Sequence, residues 1–157
     1  MPKLYMLVGV PGSGKSTWVK NQIAFADVII ASSDAYIDTV AAKEGKTYSE
    51  VFSREIGKAT DFCKAQVNTA IELGKDLVWD QTNTMAKGRK YKLQQFGDEW
   101  LKVAVFFPTP DMPELERRLK SRVGKDIPRN IMQGMIEALE IPTLKEGFDE
   151  IIVLDKP

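Results

Sequence analysis

The segment Gly9-Val10-Pro11-Gly12-Ser13-Gly14-Lys15-Ser16 has the spacing G-x-x-x-x-G-K-[ST]. It lies between an apolar run, Leu4 to Val8, and a helical stretch opening with Thr17, Trp18 and Val19. Glycines there let successive backbone N–H groups turn inward as a nest, and the helix that follows adds the positive end of its dipole. Such a loop holds a polyphosphate. Lys15 adds a mobile charge for the β- and γ-oxygens, and the Ser16 hydroxyl is placed to coordinate magnesium. The set expected around ATP and Mg2+ is Gly9, Pro11, Gly12, Ser13, Gly14, Lys15, Ser16 and Thr17.

Two carboxylates close later apolar runs. Asp34 follows Val28 to Ala31 and Ser32-Ser33, where an acceptor hydroxyl must enter if the γ-phosphoryl group is to be transferred; there it would orient the hydroxyl and take its proton. The competing role is a helix cap, since Ser32, Ser33 and Asp34 all suit the N-terminus of a helix over Ala35 to Ala42, with Ser33 able to cap while Asp34 faces the ligand. Asp80 follows Leu77-Val78-Trp79 and leads into Gln81-Thr82-Asn83. It could hold a magnesium-bound water, share the acceptor site with Asp34, or cap the helix carrying Arg89 and Lys90. Between Pro113 and Pro128, the four-residue spacing of Arg118 and Arg122 puts both on one helix face. Cations so placed would meet the transferring oxygens, whereas Arg117 and Lys120 read as a solvated face, and Glu114 could pair with Arg118.

These positions need a scaffold that gathers strand ends. Five apolar runs, Leu4 to Val8, Val28 to Ala31, Leu77 to Trp79, Val103 to Phe107 and Ile151 to Leu154, are continuous, as in parallel strands covered on both faces. Helical spacing fills the gaps, most plainly at Ile56, Ala59, Phe62, Cys63, Val67, Ala70, Ile71 and Leu73, with Gly74 as the stop. The alternation predicts a three-layer α/β domain over residues 1–157, with its ligand site at the carboxyl ends of the strands.

Composition removes other chemistries. The chain has no histidine, which excludes Ser-His-Asp and Cys-His triads, histidine zinc ligands and imidazole acid/base work. Its single cysteine, Cys63, precludes an internal disulfide, and a reducing cytoplasm is expected (a host's, if the chain is phage-encoded). Lys plus Arg and Asp plus Glu number 22 each, so any polyanion contact must be a local patch. No apolar stretch is long enough to span a bilayer. Neither N-K-x-D nor D-x-x-G occurs, which argues against a GTPase switch; Asp149-Glu150 precedes a strand rather than ending one, which argues against an ATPase motor. An ATP-dependent phosphotransferase remains. A catalytically idle nucleotide-binding subunit is disfavoured by the intact Lys15, Ser16, Asp34, Asp80 and Arg122.

The ordered set GVPGSGKSTW, SSD, DQTN, Arg-x-x-x-Arg followed by Pro128, and the closing PTLKEGFDEI resembles the kinase domain of phage, bacterial and animal 5′-hydroxyl polynucleotide kinases over nearly the whole chain. The resemblance implies the adenylate-kinase-like P-loop NTPase fold with a five-stranded parallel sheet, and a lid helix and loop at about residues 111–128. It makes Asp34 the general base, Asp80 the essential aspartate of D-x-T-N, and Arg122 the lid arginine on the donor phosphates, with Arg118 beside it. The acceptor it implies is a polynucleotide 5′-OH; a small metabolite, nucleoside or nucleotide sugar is the alternative. One position departs: three residues after the base aspartate, where phage and bacterial enzymes carry an arginine for an acceptor phosphate, this chain has Ile37. A D-x-D-G-T phosphatase motif is absent.

Overall fold

The computed structural model describes residues 1–23 and 27–155, and for Ile23 the backbone alone. Five strands, β1 (Lys3–Val8), β2 (Ile29–Ser32), β3 (Leu77–Asp80), β4 (Leu101–Phe106) and β5 (Glu150–Val153), coincide with the five apolar runs to within two residues at each end. They form one parallel sheet in the order β2-β3-β1-β4-β5. The helices are α1 (Lys15–Ile23), α2 (Ser33–Glu44), α3 (Tyr48–Leu73), α4 (Ala86–Leu93), α5 (Met112–Lys120) and α6 (Arg129–Ala138). A short 3-10 turn, Leu144–Glu146, precedes β5.

Both faces of the sheet are covered, so the strands need no polar alternation. Leu4, Met6, Leu77, Trp79 and Ala104 pack on one side with Cys63, Val67 and Ala70 of α3. Leu7, Val78, Val103 and Val105 pack on the other with Val19 of α1 and Phe107. The 26 residues of α3 bury one stripe, Val51, Glu55, Ala59, Cys63, Val67 and Ala70. The Thr47 side chain caps its first turn by accepting from the Glu50 N–H at 3.2 Å, and Gly74 ends it in the left-handed region at φ 63°. Among the described residues no helix is long and apolar enough to cross a membrane.

Two register pairs set up the site. Val8 lies opposite Phe106, so the loop after β1 emerges beside the end of β4, and Ser32 lies opposite Asp80, so the chain leaving β2 starts level with the DQTN segment leaving β3. A parallel sheet delivers all these ends to one edge.

Candidate active site

The loop after β1 is shaped by its glycines and anchored by neighbours. A Cβ at Gly9 would come within 2.5 Å of Ser13 Oγ and 2.9 Å of Phe107 Cβ, so only glycine lets the chain pass the end of β4. Gly12 and Gly14 have φ of 84° and 107°, values that cost a side-chain-bearing residue steric strain. From α5, Leu115 packs against Val10, and the Arg118 Nη1 donates to the Gly12 carbonyl at 3.0 Å. Lys15 donates to the carbonyls of Gly9 and Val10 at 2.8 and 2.9 Å. Burial lowers its pKa to about 8 against the pull of Asp80 and Asp34, with Arg122 lowering it further. Phosphate oxygens are the partners that would restore its full charge. Ser16 and Thr17, in the first turn of α1, line the same cleft.

Asp34 and Asp80 face that cleft together. Ser32, not Ser33, caps α2, accepting from the Ala35 N–H at 3.2 Å, and Asp34 sits in the helix's first turn. Of the three candidate caps, Ser32 takes the role rather than Ser33, because β2 ends at Ser32 with extended backbone. Nor is Asp80 a cap: α4 begins after Met85 with no side-chain cap bond. Asp34 Oδ1 accepts a hydrogen bond of 2.5 Å from the Tyr48 hydroxyl, contributed by the first turn of α3. Burial and the nearby charge of Asp34 raise the pKa of Asp80, while Lys15, a Ser32 hydrogen bond and Lys125 oppose them. Both carboxylates thus act electrostatically on the Lys15 ammonium within one cleft.

The arginines differ from the sequence expectation in one respect. Helix α5 ends at Lys120, so Arg122 lies in the turn beyond it and the two arginines do not share a helix face. Ser121 closes the helix through its Oγ bond to the Arg118 carbonyl at 2.7 Å. Both arginines nevertheless line the cleft. Arg118 is held by Glu114 at 2.8 Å, as the pairing predicted, and Arg117 also bonds Glu114 and is exposed. Arg122 Nη1 is buried and has no hydrogen-bond partner among the described residues. An orphaned guanidinium nitrogen costs free energy unless an anion meets it, so the residues present fit a bound polyphosphate. The turn that carries Arg122 is docked onto α2 and α3. Lys125 Nζ lies 3.1 Å from Asp38 and 4.5 Å from the Tyr48 ring centroid, and the Ser49 N–H donates to the Gly124 carbonyl at 2.9 Å.

Sequence reading missed two further features. Asn83 takes a positive φ of 46° and is held by its amide to the Leu7 carbonyl at 2.8 Å, by Lys92 on its Oδ1 at 2.6 Å, and by Arg89 on its carbonyl at 2.8 Å. Arg89 is fully buried and bonded twice to Glu146, which ties the DQTN segment to the closing PTLKE stretch. The Thr143-to-Glu146 spacing of a capping box was the readable signal there. Nothing in the sequence signalled the Tyr48 contact. Ile37, which stands where the resembling enzymes carry an arginine, is fully buried with Ala41, Val51 and Ala59.

The residues from Pro11 to Thr17, with Asp34, Asp80, Arg118 and Arg122, therefore line one cleft of about 1550 Å3 at the carboxyl edge of the sheet. Similar folds occur in a "putative kinase" from Chloroflexus aurantiacus J-10-fl (18% identity, 98% of this chain and 88% of that one, TM-score 0.73) and in a gluconokinase from Sinorhizobium meliloti 1021 (19%, 98% and 82%, TM-score 0.56). A fungal RNA kinase is also similar (14%, 99% and 75%, TM-score 0.55). The fold is that of the P-loop NTPase kinases. Residues 4–142 match the AAA domain family, and the chain belongs to that family, AAA_33.

Proposed function

We propose that this chain is an ATP-dependent kinase that transfers the γ-phosphoryl group to the 5′-hydroxyl of a polynucleotide. The observation that carries the kinase reading is the convergence of Lys15, Asp34, Asp80 and the unpartnered Arg122 on one cleft. The acceptor oxygen forms the new bond to the γ-phosphorus, the bond to the β–γ bridging oxygen breaks, ADP leaves, and the hydroxyl proton passes to Asp34. Tyr48 holds one carboxylate oxygen of Asp34 and leaves the other for the acceptor. Lys15 and Arg122 meet the charge that builds on the transferring oxygens. Ser16, with Asp80 through water, would hold magnesium, which would supply positive charge against the donor phosphates.

The polynucleotide acceptor is supported by the ordered motif set, from GVPGSGKSTW to PTLKEGFDEI. The fold does not choose, since its neighbours are described as acting on both RNA and gluconate. A small acceptor is the second reading, favoured by the burial of Ile37, which leaves α2 without a phosphate clamp there. Label from [γ-32P]ATP should appear on 5′-OH oligonucleotides in preference to nucleosides and sugars, and transfer should weaken steeply with salt. Lys15→Ala should stay folded and lose most transfer. Near-normal turnover in that variant refutes the kinase mechanism, and label on sugars alone moves the acceptor to the second reading.

A further inference from the structure

Beyond Asp34 the wall of the cleft is aromatic. Tyr48 and Phe52 are four residues apart on α3 and both line the cleft. Their ring centroids are 5.6 Å apart at an interplanar angle of 37°. Tyr48 is fixed on several sides: its hydroxyl on Asp34, the Lys125 ammonium over its ring, and the Phe52 ring beside it. Phe52 carries no polar atom to fix and leaves 40% of its surface open. Ile131, 48% exposed, also lines the cleft.

An open apolar ring beside a general base calls for a ligand part that is flat and uncharged. A carboxylate or phosphate does not suit it, because the neighbouring Tyr48 already holds the Asp34 carboxylate and Lys125, over the Tyr48 ring, is already paired with Asp38. A nucleobase does. Every base has a π-face, and stacking on an aromatic side chain tolerates all of them.

We infer that Phe52, braced by Tyr48, is the stacking platform for the base of the acceptor's terminal nucleoside, whose 5′-hydroxyl then reaches Asp34. The inference rests on the polynucleotide reading and narrows it. Recognition of the acceptor comes from its terminal base rather than from a phosphate clamp on α2. Sequence preference at that base is weak, since no hydrogen-bonding edge is read by a ring.

The test uses two 5′-OH oligonucleotides that differ only at the first residue, which either carries its base or is abasic. They are assayed with wild type, Phe52→Ala, Phe52→Leu and Phe52→Trp, each checked for folding by circular dichroism. Loss of the base should raise the wild-type acceptor KM by roughly tenfold, the scale of one base–aromatic stack. Phe52→Ala should raise KM for the base-bearing oligomer by a similar factor and change it much less for the abasic one. Phe52→Trp should restore discrimination and Phe52→Leu should not. Equal KM for the two oligomers in wild type, or equal loss on both in Phe52→Ala, overturns the platform while leaving the kinase reading intact. Transfer to neither oligomer, with sugars phosphorylated instead, overturns the polynucleotide reading and the platform with it.

Discussion

Replacing Arg89 by Met should show that the DQTN segment after β3 is held from behind by the PTLKE segment. Arg89 is fully buried; its Nε and Nη2 donate to the Glu146 carboxylate at 2.6 and 3.1 Å, and its Nη1 to the Asn83 carbonyl at 2.8 Å. Glu146 is itself 8% exposed and also accepts from the Thr143 N–H at 2.8 Å. Methionine fills much of the space but leaves that carboxylate buried without its cation, a loss of about 3–5 kcal/mol. For a chain of this size each kcal/mol is worth about 2–4 °C, so the melting temperature should fall by roughly 6–20 °C. Despite its burial, Glu146 is held below the ordinary glutamate pKa by Arg89 and Thr143. Its contribution in the wild type is therefore present above the ordinary value, about 4.3, and lost as pH falls through the lowered one. In the variant only the Thr143 hydrogen bonds still oppose burial, so protonation is easier than in the wild type and the stability gap should narrow in acid. The double variant Arg89→Met/Glu146→Leu should recover most of the loss, because an apolar pair avoids the desolvation of both charges. Urea and thermal unfolding followed by circular dichroism read both numbers. A single-variant loss below about 1 kcal/mol, or a double variant worse than the single, refutes the reasoning. Transfer should fall in parallel, since Asn83 loses a partner three residues after Asp80.

Asp34→Asn should lower transfer by roughly 10² or more with little change in ATP affinity, because the amide retains the Tyr48 hydrogen bond but cannot take a proton. If single-turnover assays instead spare Asp34→Asn and silence Asp80→Asn, the base is Asp80. Arg122→Ala should depress kcat more than ATP binding, whereas Arg117→Ala, which removes an exposed pair with Glu114, should be nearly silent; equal kinetic effects would refute the placement of Arg122. Ile37→Arg should destabilise or unfold the chain, by several kcal/mol, rather than improve use of 3′-phosphorylated acceptors. A stable, folded variant in chemical denaturation would contradict the burial of Ile37.

The loop from Gly9 to Ser16, the five strands and the long helix ending at Gly74 were legible because each is a contiguous pattern whose local energetics agree with its place in the fold. Asp80 was legible as a strand-end carboxylate for the same reason, since a parallel sheet sends every such end to one edge, while Asp34 lies two residues past β2 in the first turn of α2. Side-chain direction one or two residues past a strand was not. Which of Ser32, Ser33 and Asp34 would cap α2 stayed open until Ser32 took the role, and Arg122 fell beyond the helix assigned to it, because element ends depend on which terminal groups find partners.

By itself, then, the sequence determined a glycine-rich loop between strand and helix, a parallel α/β scaffold and a chain without histidine or a cysteine pair. Tertiary structure alone decided that Ile37 faces the core, that Tyr48 clasps Asp34 across 14 positions, and that Arg89 reaches Glu146 across 57. The physical reason is the range of the interactions. Periodicity and turn chemistry act within a few residues, whereas a buried guanidinium or a shared carboxylate finds its partner only after layers of helix and sheet have packed and excluded water.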